Sequence, residues 1–108
     1  MMKLRINPVV AEDLKTIKNF IAEDNADKAL ETVQEINRQF ENIQQFPYIS
    51  ANLSKRVSFK TDYKYVVWND YVVLYKVTKE VVEIYRVVNR YKDIWIIMFQ
   101  EKGSIVQE

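Results

Sequence analysis

The sequence predicts an α+β domain: an N-terminal strand, an antiparallel helical hairpin, an antiparallel β-meander, and a short C-terminal helix or strand. Three observations carry this. Apolar residues recur at helical spacing from residue 10 to 43, the stretch 63–88 is dense in Tyr, Val and Ile in short runs, and brief polar breaks divide those runs. Helices and strands segregated along a chain read as α+β, with the hairpin on one face of the sheet and the other face left for a ligand or partner. At 108 residues the chain is one domain, residues 1–108, with room for a single modest core. Its 48% hydrophobic and 29% charged residues are the balance of a globular domain rather than a disordered one.

Each element has its own signal. Residues 3–7, "KLRIN", alternate polar and apolar as a short strand does; Pro8 then suits a first helical turn and Asn7 its N-cap. Val10, Leu14, Ile17 and Ile21 follow at spacings that place them on one helix face, with Glu12, Asp13, Lys15 and Lys18 elsewhere. "EDNADKA" interrupts this pattern with two capping residues, Asp24 and Asn25, and puts Asp27 where it meets the positive end of a second helix dipole. Glu23, Asp24 and Asp27 are accordingly read as caps and not as a metal site. The second helix sets Ala26, Leu30, Val33, Ile36, Phe40 and Ile43 on one face and stops at Pro47. So short a join makes the pair an antiparallel hairpin.

Residues 48–61 read as a loop leading into a strand near 57–59. Then "YKYVVW", "YVVLYKV" and "VVEIYRVV" are three strands, divided by "ND" at 69–70 and "TKE" at 78–80. Asn69 and Asp70 fit a two-residue type I′ loop, whose central residues both need positive φ. The tyrosines 63, 65, 71, 75 and 85 are assigned to sheet packing, since Tyr favours strands, and Trp68 and Trp95 to the core or a partly buried edge. The charged cluster Arg90, Tyr91, Lys92 and Asp93 then separates the last of these strands from "IWIIMF", a terminal helix or another strand. Such charge at a strand end is either a site or a solvated turn.

Composition excludes several chemistries. There is no cysteine and no histidine, which removes disulfides, thiolate nucleophiles, the usual zinc ligands and the commonest general base. Any reaction must use Lys, Arg, Tyr, Asp or Glu. No cofactor and no metal is implied. A net charge of +1 gives no global attraction to polyanions, so any such binding would come from local clusters. No run approaches the ~18 apolar residues of a membrane span, and "MMKLRINPVV" lacks the apolar core of a secretory signal, so the expected location is the cytoplasm.

In order and spacing, the strand, the hairpin ending in "FP", "DYVVLYKV" and "EIYRVVNRYKD" resemble the RelE/ParE superfamily, the small toxins of bacterial type II toxin-antitoxin modules also called plasmid stabilisation proteins. The resemblance covers residues 3 to about 99. It implies a toxin that inhibits bacterial growth by acting on gyrase or on translated mRNA, neutralised by a cognate antitoxin in a hetero-oligomer, with no membrane involved. Within the superfamily, RNA-cleaving members carry an arginine where this chain has Val72, and many use a histidine where it has Asn89. The "YKYVVWNDY" stretch, with Lys64 in the place of a basic residue, is closer to the ParE side, whose members resemble gyrase poisons.

If the target is RNA, the activity implied is that of a metal-independent, ribosome-dependent mRNA endoribonuclease. Cleavage by the 2′-hydroxyl requires a proton acceptor, a proton donor and cations to hold the phosphate as charge builds. Arg86, Arg90 and Lys92 are the candidate cations, and Tyr91 and Lys92 the candidate proton carriers. Lys64, Lys60 and Arg56, together with Asn89, are the candidates for holding the target. Arg86, in mid-strand, has the alternative of pairing with Glu83 or Asp93. A disordered acidic antitoxin segment folding onto this basic strand end is the physics expected of the partner. The rival reading is a degenerate, non-toxic member that keeps the scaffold as a protein-binding module.

Overall fold

The computed structural model describes residues 2–48, 51–52 and 62–91. The elements follow in the order β1 (Lys3–Ile6), α1 (Val9–Ala22), α2 (Ala26–Gln45), β2 (Ala51–Asn52), β3 (Lys64–Trp68), β4 (Tyr71–Val77) and β5 (Val81–Asn89). They build one five-stranded sheet in the order β1-β5-β4-β3-β2. The expected meander is present as β3, β4 and β5, each antiparallel to the next. Not legible from local pattern was the partner of the first strand: β1 pairs parallel with β5, Leu4 beside Val82 and Ile6 beside Ile84. The sheet is therefore mixed, and the two helices form the crossover that a parallel pair requires. The strand expected near 57–59 and the C-terminal helix or strand lie outside the described residues.

Capping sets where the helices begin. Asn7 accepts the Val9 N–H on its side-chain oxygen at 3.2 Å and the Val10 N–H on its carbonyl at 2.9 Å, while Pro8, with φ −52°, enters the first turn. Asn25 caps α2 from extended backbone, its side chain accepting the Lys28 N–H at 3.0 Å. Pro47 follows the last turn of α2, and its buried carbonyl accepts the Tyr75 hydroxyl at 2.8 Å, tying the helix exit to the middle of the sheet.

The buried stripe of α1 is as expected, with Val10 and Ile17 inside and Leu14 and Ile21 half-buried. That of α2 is rotated from the sequence reading. Ala29, Thr32, Ile36, Phe40 and Ile43 are inside, whereas Leu30 is 50% exposed and Ala26 is exposed. Both stripes obey helical spacing. The large residues Ile36, Phe40 and Ile43 orient the helix, and counting back from them by three and four places small residues inward, where Ala29 is fully buried and Thr32 is 8% exposed. Thr32 satisfies its hydroxyl internally, donating to the Lys28 carbonyl at 2.8 Å.

One irregularity decides what β5 presents. Leu74 is opposite Arg86 but Tyr75 is opposite Ile84, so Tyr85 is an extra residue, a β-bulge. Strict alternation from Val82 and Ile84 would put Arg86 next into the helix-side core. Because of the bulge, Val87 takes that place and joins Val82, Ile84, Val73 and Tyr75 against Val10, Ile17, Ile36, Phe40 and Ile43. Val88 falls to the opposite face with Tyr63, Val72 and Leu74. On that second face, the one the sequence leaves for a ligand or partner, Val72 and Leu74 are almost inaccessible, at 3% and 1% exposure. Tyr63 and Tyr85 meet edge to face on it, 4.9 Å between ring centres, with the Lys76 ammonium 4.5 Å from the Tyr63 ring centre.

The β3–β4 loop has two residues, as expected, since Trp68 pairs with Tyr71. The left-handed conformation falls on Asn69 alone (φ 52°) and not on Asp70, so the loop is not type I′. Asn tolerates that region better than most residues because its short polar side chain bonds locally.

Candidate functional site

The C-terminal end of β5 carries the residues that the sequence singled out. Three contacts shape it. The Asn89 side-chain oxygen accepts the Tyr91 N–H at 2.9 Å, the Arg90 N–H donates to the Asp70 carbonyl at 2.7 Å, and the Arg90 guanidinium reaches the Asn69 carbonyl at 3.4 Å. Arg90 and Tyr91, the first two residues of the charged cluster, thus form a turn docked on the tip of the neighbouring hairpin. It nevertheless presents exposed groups: Tyr91 is 73% exposed and Arg90 is exposed, with the guanidinium 5.1 Å from the Tyr91 ring centre. A cation stacked on an aromatic ring at a fixed position can meet a phosphate, a carboxylate or a flat base.

Arg86 is placed differently from Arg90. Its guanidinium donates twice to Asp13 on α1, Nε to Oδ2 at 2.9 Å and an Nη to Oδ1 at 2.8 Å. Asp13 also accepts the Val87 N–H at 3.0 Å. Of the two partners that sequence proximity offered, Glu83 is not the residue paired here, and Asp93 lies outside the described residues. β1 ends at Ile6, opposite Ile84, and the Asp13 carboxylate takes up a backbone donor of β5 beyond that point.

Lys64 lies on β3, half-buried, its ammonium 5.7 Å from the ring centre of exposed Tyr48. Lys60, Arg56 and Lys92 lie outside the described residues, as do Asp93 and Trp95. Among the described residues no group of acidic side chains could hold a metal ion. Val72, in the position where the resemblance would have an arginine, is buried in the second-face cluster, and Asn89 spends its side-chain oxygen on the turn.

Beside this end of the sheet, an open cleft of about 390 Å³ separates the α1–α2 turn from the β3–β4 loop. Phe20, Asn25 and Lys28 line one wall; Asn69, Asp70 and Tyr71 line the other. Burial, with a smaller contribution from the Asp70 carboxylate, pushes the Tyr71 phenol above its ordinary value.

Asp13 is the site residue that sequence reasoning missed. The sequence reading sets it apart from the apolar face of the helix, with Glu12, Lys15 and Lys18. A signal existed, because position 13 falls three residues after Val10 and four before Ile17, inside the apolar stripe. An acid in such a stripe calls for a buried partner.

The fold and this strand end define a small α+β protein of the RelE/ParE architecture. The model of the ParE toxin of the type II toxin-antitoxin system, parDE, matches residues 4–94, and the chain belongs to that family. Among solved structures, a chain of the chromosomal ParDE TA system from P. aeruginosa is similar, with a TM-score of 0.68 and 23% identity over 82% of this chain and 96% of that one. No curated protein sequence matches. Among the described residues no helix is long and apolar enough to cross a membrane.

Proposed function

We propose that this chain is the toxin of a type II toxin-antitoxin module, acting in the cytoplasm on a bacterial macromolecule and neutralised by a cognate antitoxin protein. The observation that carries the reading is the family match over residues 4–94, combined with a strand end that holds Arg90 and Tyr91 exposed. Arg90, Tyr91 and Lys92 are the target-engaging groups, and Lys64, Lys60, Arg56 and Asn89 are further candidates for holding the target. Between the two targets, gyrase is favoured over translated mRNA. Cleaving RNA needs a proton acceptor and a proton donor held at one phosphate. Val72 is buried and the Asn89 oxygen is occupied, so neither position offers such a group. An acidic antitoxin segment would be attracted to the cations of this end and to those of 56–64.

The test is tightly controlled expression in a bacterial host, with and without the product of an adjacent upstream reading frame, following growth, transcript integrity and plasmid supercoiling. Growth arrest with broken or relaxed DNA, relieved by the upstream product, is expected. Arrest with cut transcripts would replace gyrase by mRNA and restore the endoribonuclease reading. No arrest, with the upstream product still bound, would leave a protein-binding module that has lost toxicity.

A further inference from the structure

We infer that Asp13 and Arg86 form an internal clamp that positions the target-engaging end of β5, and that Arg86 is a positioning residue rather than a contact to the target. The inference rests on the toxin reading for its functional consequence and on geometry alone for its physical content. Both oxygens of the Asp13 carboxylate are used: Oδ1 takes one N–H of the guanidinium, and Oδ2 takes the Nε–H and the Val87 N–H. The Asp13 side chain is 10% exposed and that of Arg86 28%, so the pair is shielded from water and its geometry is bidentate, the arrangement in which an ion pair fixes orientation. It grips β5 at two successive residues, just after the bulge at Tyr85 and just before the turn that displays Arg90 and Tyr91.

This is the segment that most needs a grip. Past Ile84, β5 no longer has β1 beside it, and its backbone on that side is held by α1 through Asp13. An arginine so engaged has its charge matched within the chain. At this strand end, the cations left for a target are those beyond it, Arg90 among the described residues and Lys92 two positions further in sequence.

The two roles of Arg86 predict opposite outcomes for Asp13→Asn. As a target contact, Arg86 would be released by the loss of the carboxylate charge, and toxicity would hold or rise. As part of a clamp, it would lose its anchor, and toxicity would fall about tenfold or more, in line with the strength of hydrogen bonds to a charged group. The experiment pairs dose-controlled growth arrest with backbone amide NMR of the full chain, comparing wild type, Asp13→Asn and Asp13→Glu. In Asp13→Asn the clamp requires faster hydrogen exchange at Val87, by about tenfold, and shifted amide signals at Arg90 and Tyr91, with Val73 in mid-sheet unchanged. Asp13→Glu, which keeps the charge, recovers part of the toxicity and of the protection. Unmoved Arg90 and Tyr91 signals, or unreduced toxicity in a folded Asp13→Asn, overturn the clamp. If the wild type itself does not arrest growth, the toxin reading fails, and the clamp stands or falls on the amide signals alone.

Discussion

At the scale of single residues, what counts is whether a polar group inside the fold has a partner. Among the described residues, no buried side-chain nitrogen or oxygen lacks a hydrogen bond. Asp13 looked like one more surface charge because a helix four turns long with many acids and lysines normally carries them outward. It is instead the anchor of Arg86, 73 positions away; its place in the apolar stripe signals that a partner is needed, but nothing local says which residue that is. Tyr71 offers a pH test at this scale. Burial, then Asp70, raises its phenol above the ordinary value near 10, so the folded chain holds that proton more tightly than the unfolded chain does. This favours the fold below about pH 10, where both states keep the proton, and stability is lost as pH rises through the folded value. Tyr71→Phe should therefore unfold in urea along a shallower alkaline limb than wild type. Equal limbs would mean that the phenol is fully solvated.

At the scale of elements, caps and spacing proved legible and helix rotation did not. Asn25 caps α2 as its residue type predicts, because an isolated helix start leaves N–H groups that a short side-chain oxygen can reach. Asn25→Ala should lower unfolding free energy by about 1 kcal/mol, while Asn25→Asp leaves it nearly unchanged. Denaturant midpoints with constant slope would measure this, and an Ala variant as stable as wild type would remove the cap's role. The stripe Ala26–Leu30–Val33 competed with Ala29–Thr32–Ile36 on equal periodicity, and only the packing of α2 over the sheet chose between them. The bulge at Tyr85 was likewise silent, since "VVEIYRVV" reads as a continuous buried strand with or without an inserted residue.

At the scale of the whole molecule, the parallel contact of β1 with β5 joins the start of the chain to its last described strand and wraps both helices over one face. The Tyr75 hydroxyl on the Pro47 carbonyl is another long-range tie, fully buried at the centre of that face. Tyr75→Phe keeps the ring and strands a buried carbonyl, so a loss of about 1–3 kcal/mol is expected by equilibrium denaturation. A loss below about 0.5 kcal/mol would mean that the carbonyl finds another donor.

Sequence alone determined the class of fold, the helix and strand inventory of the meander, the caps, and the family to which the strand motifs belong. These depend on period, turn chemistry and residue type, which act over a few positions. Tertiary structure decided the parallel pairing of the first strand, the face that α2 buries, the filled second face of the sheet, and the separation of two arginines four positions apart into an internal anchor, Arg86, and an exposed group, Arg90. Those outcomes turn on which distant surface reaches a residue first, and no local pattern in the chain carries that information.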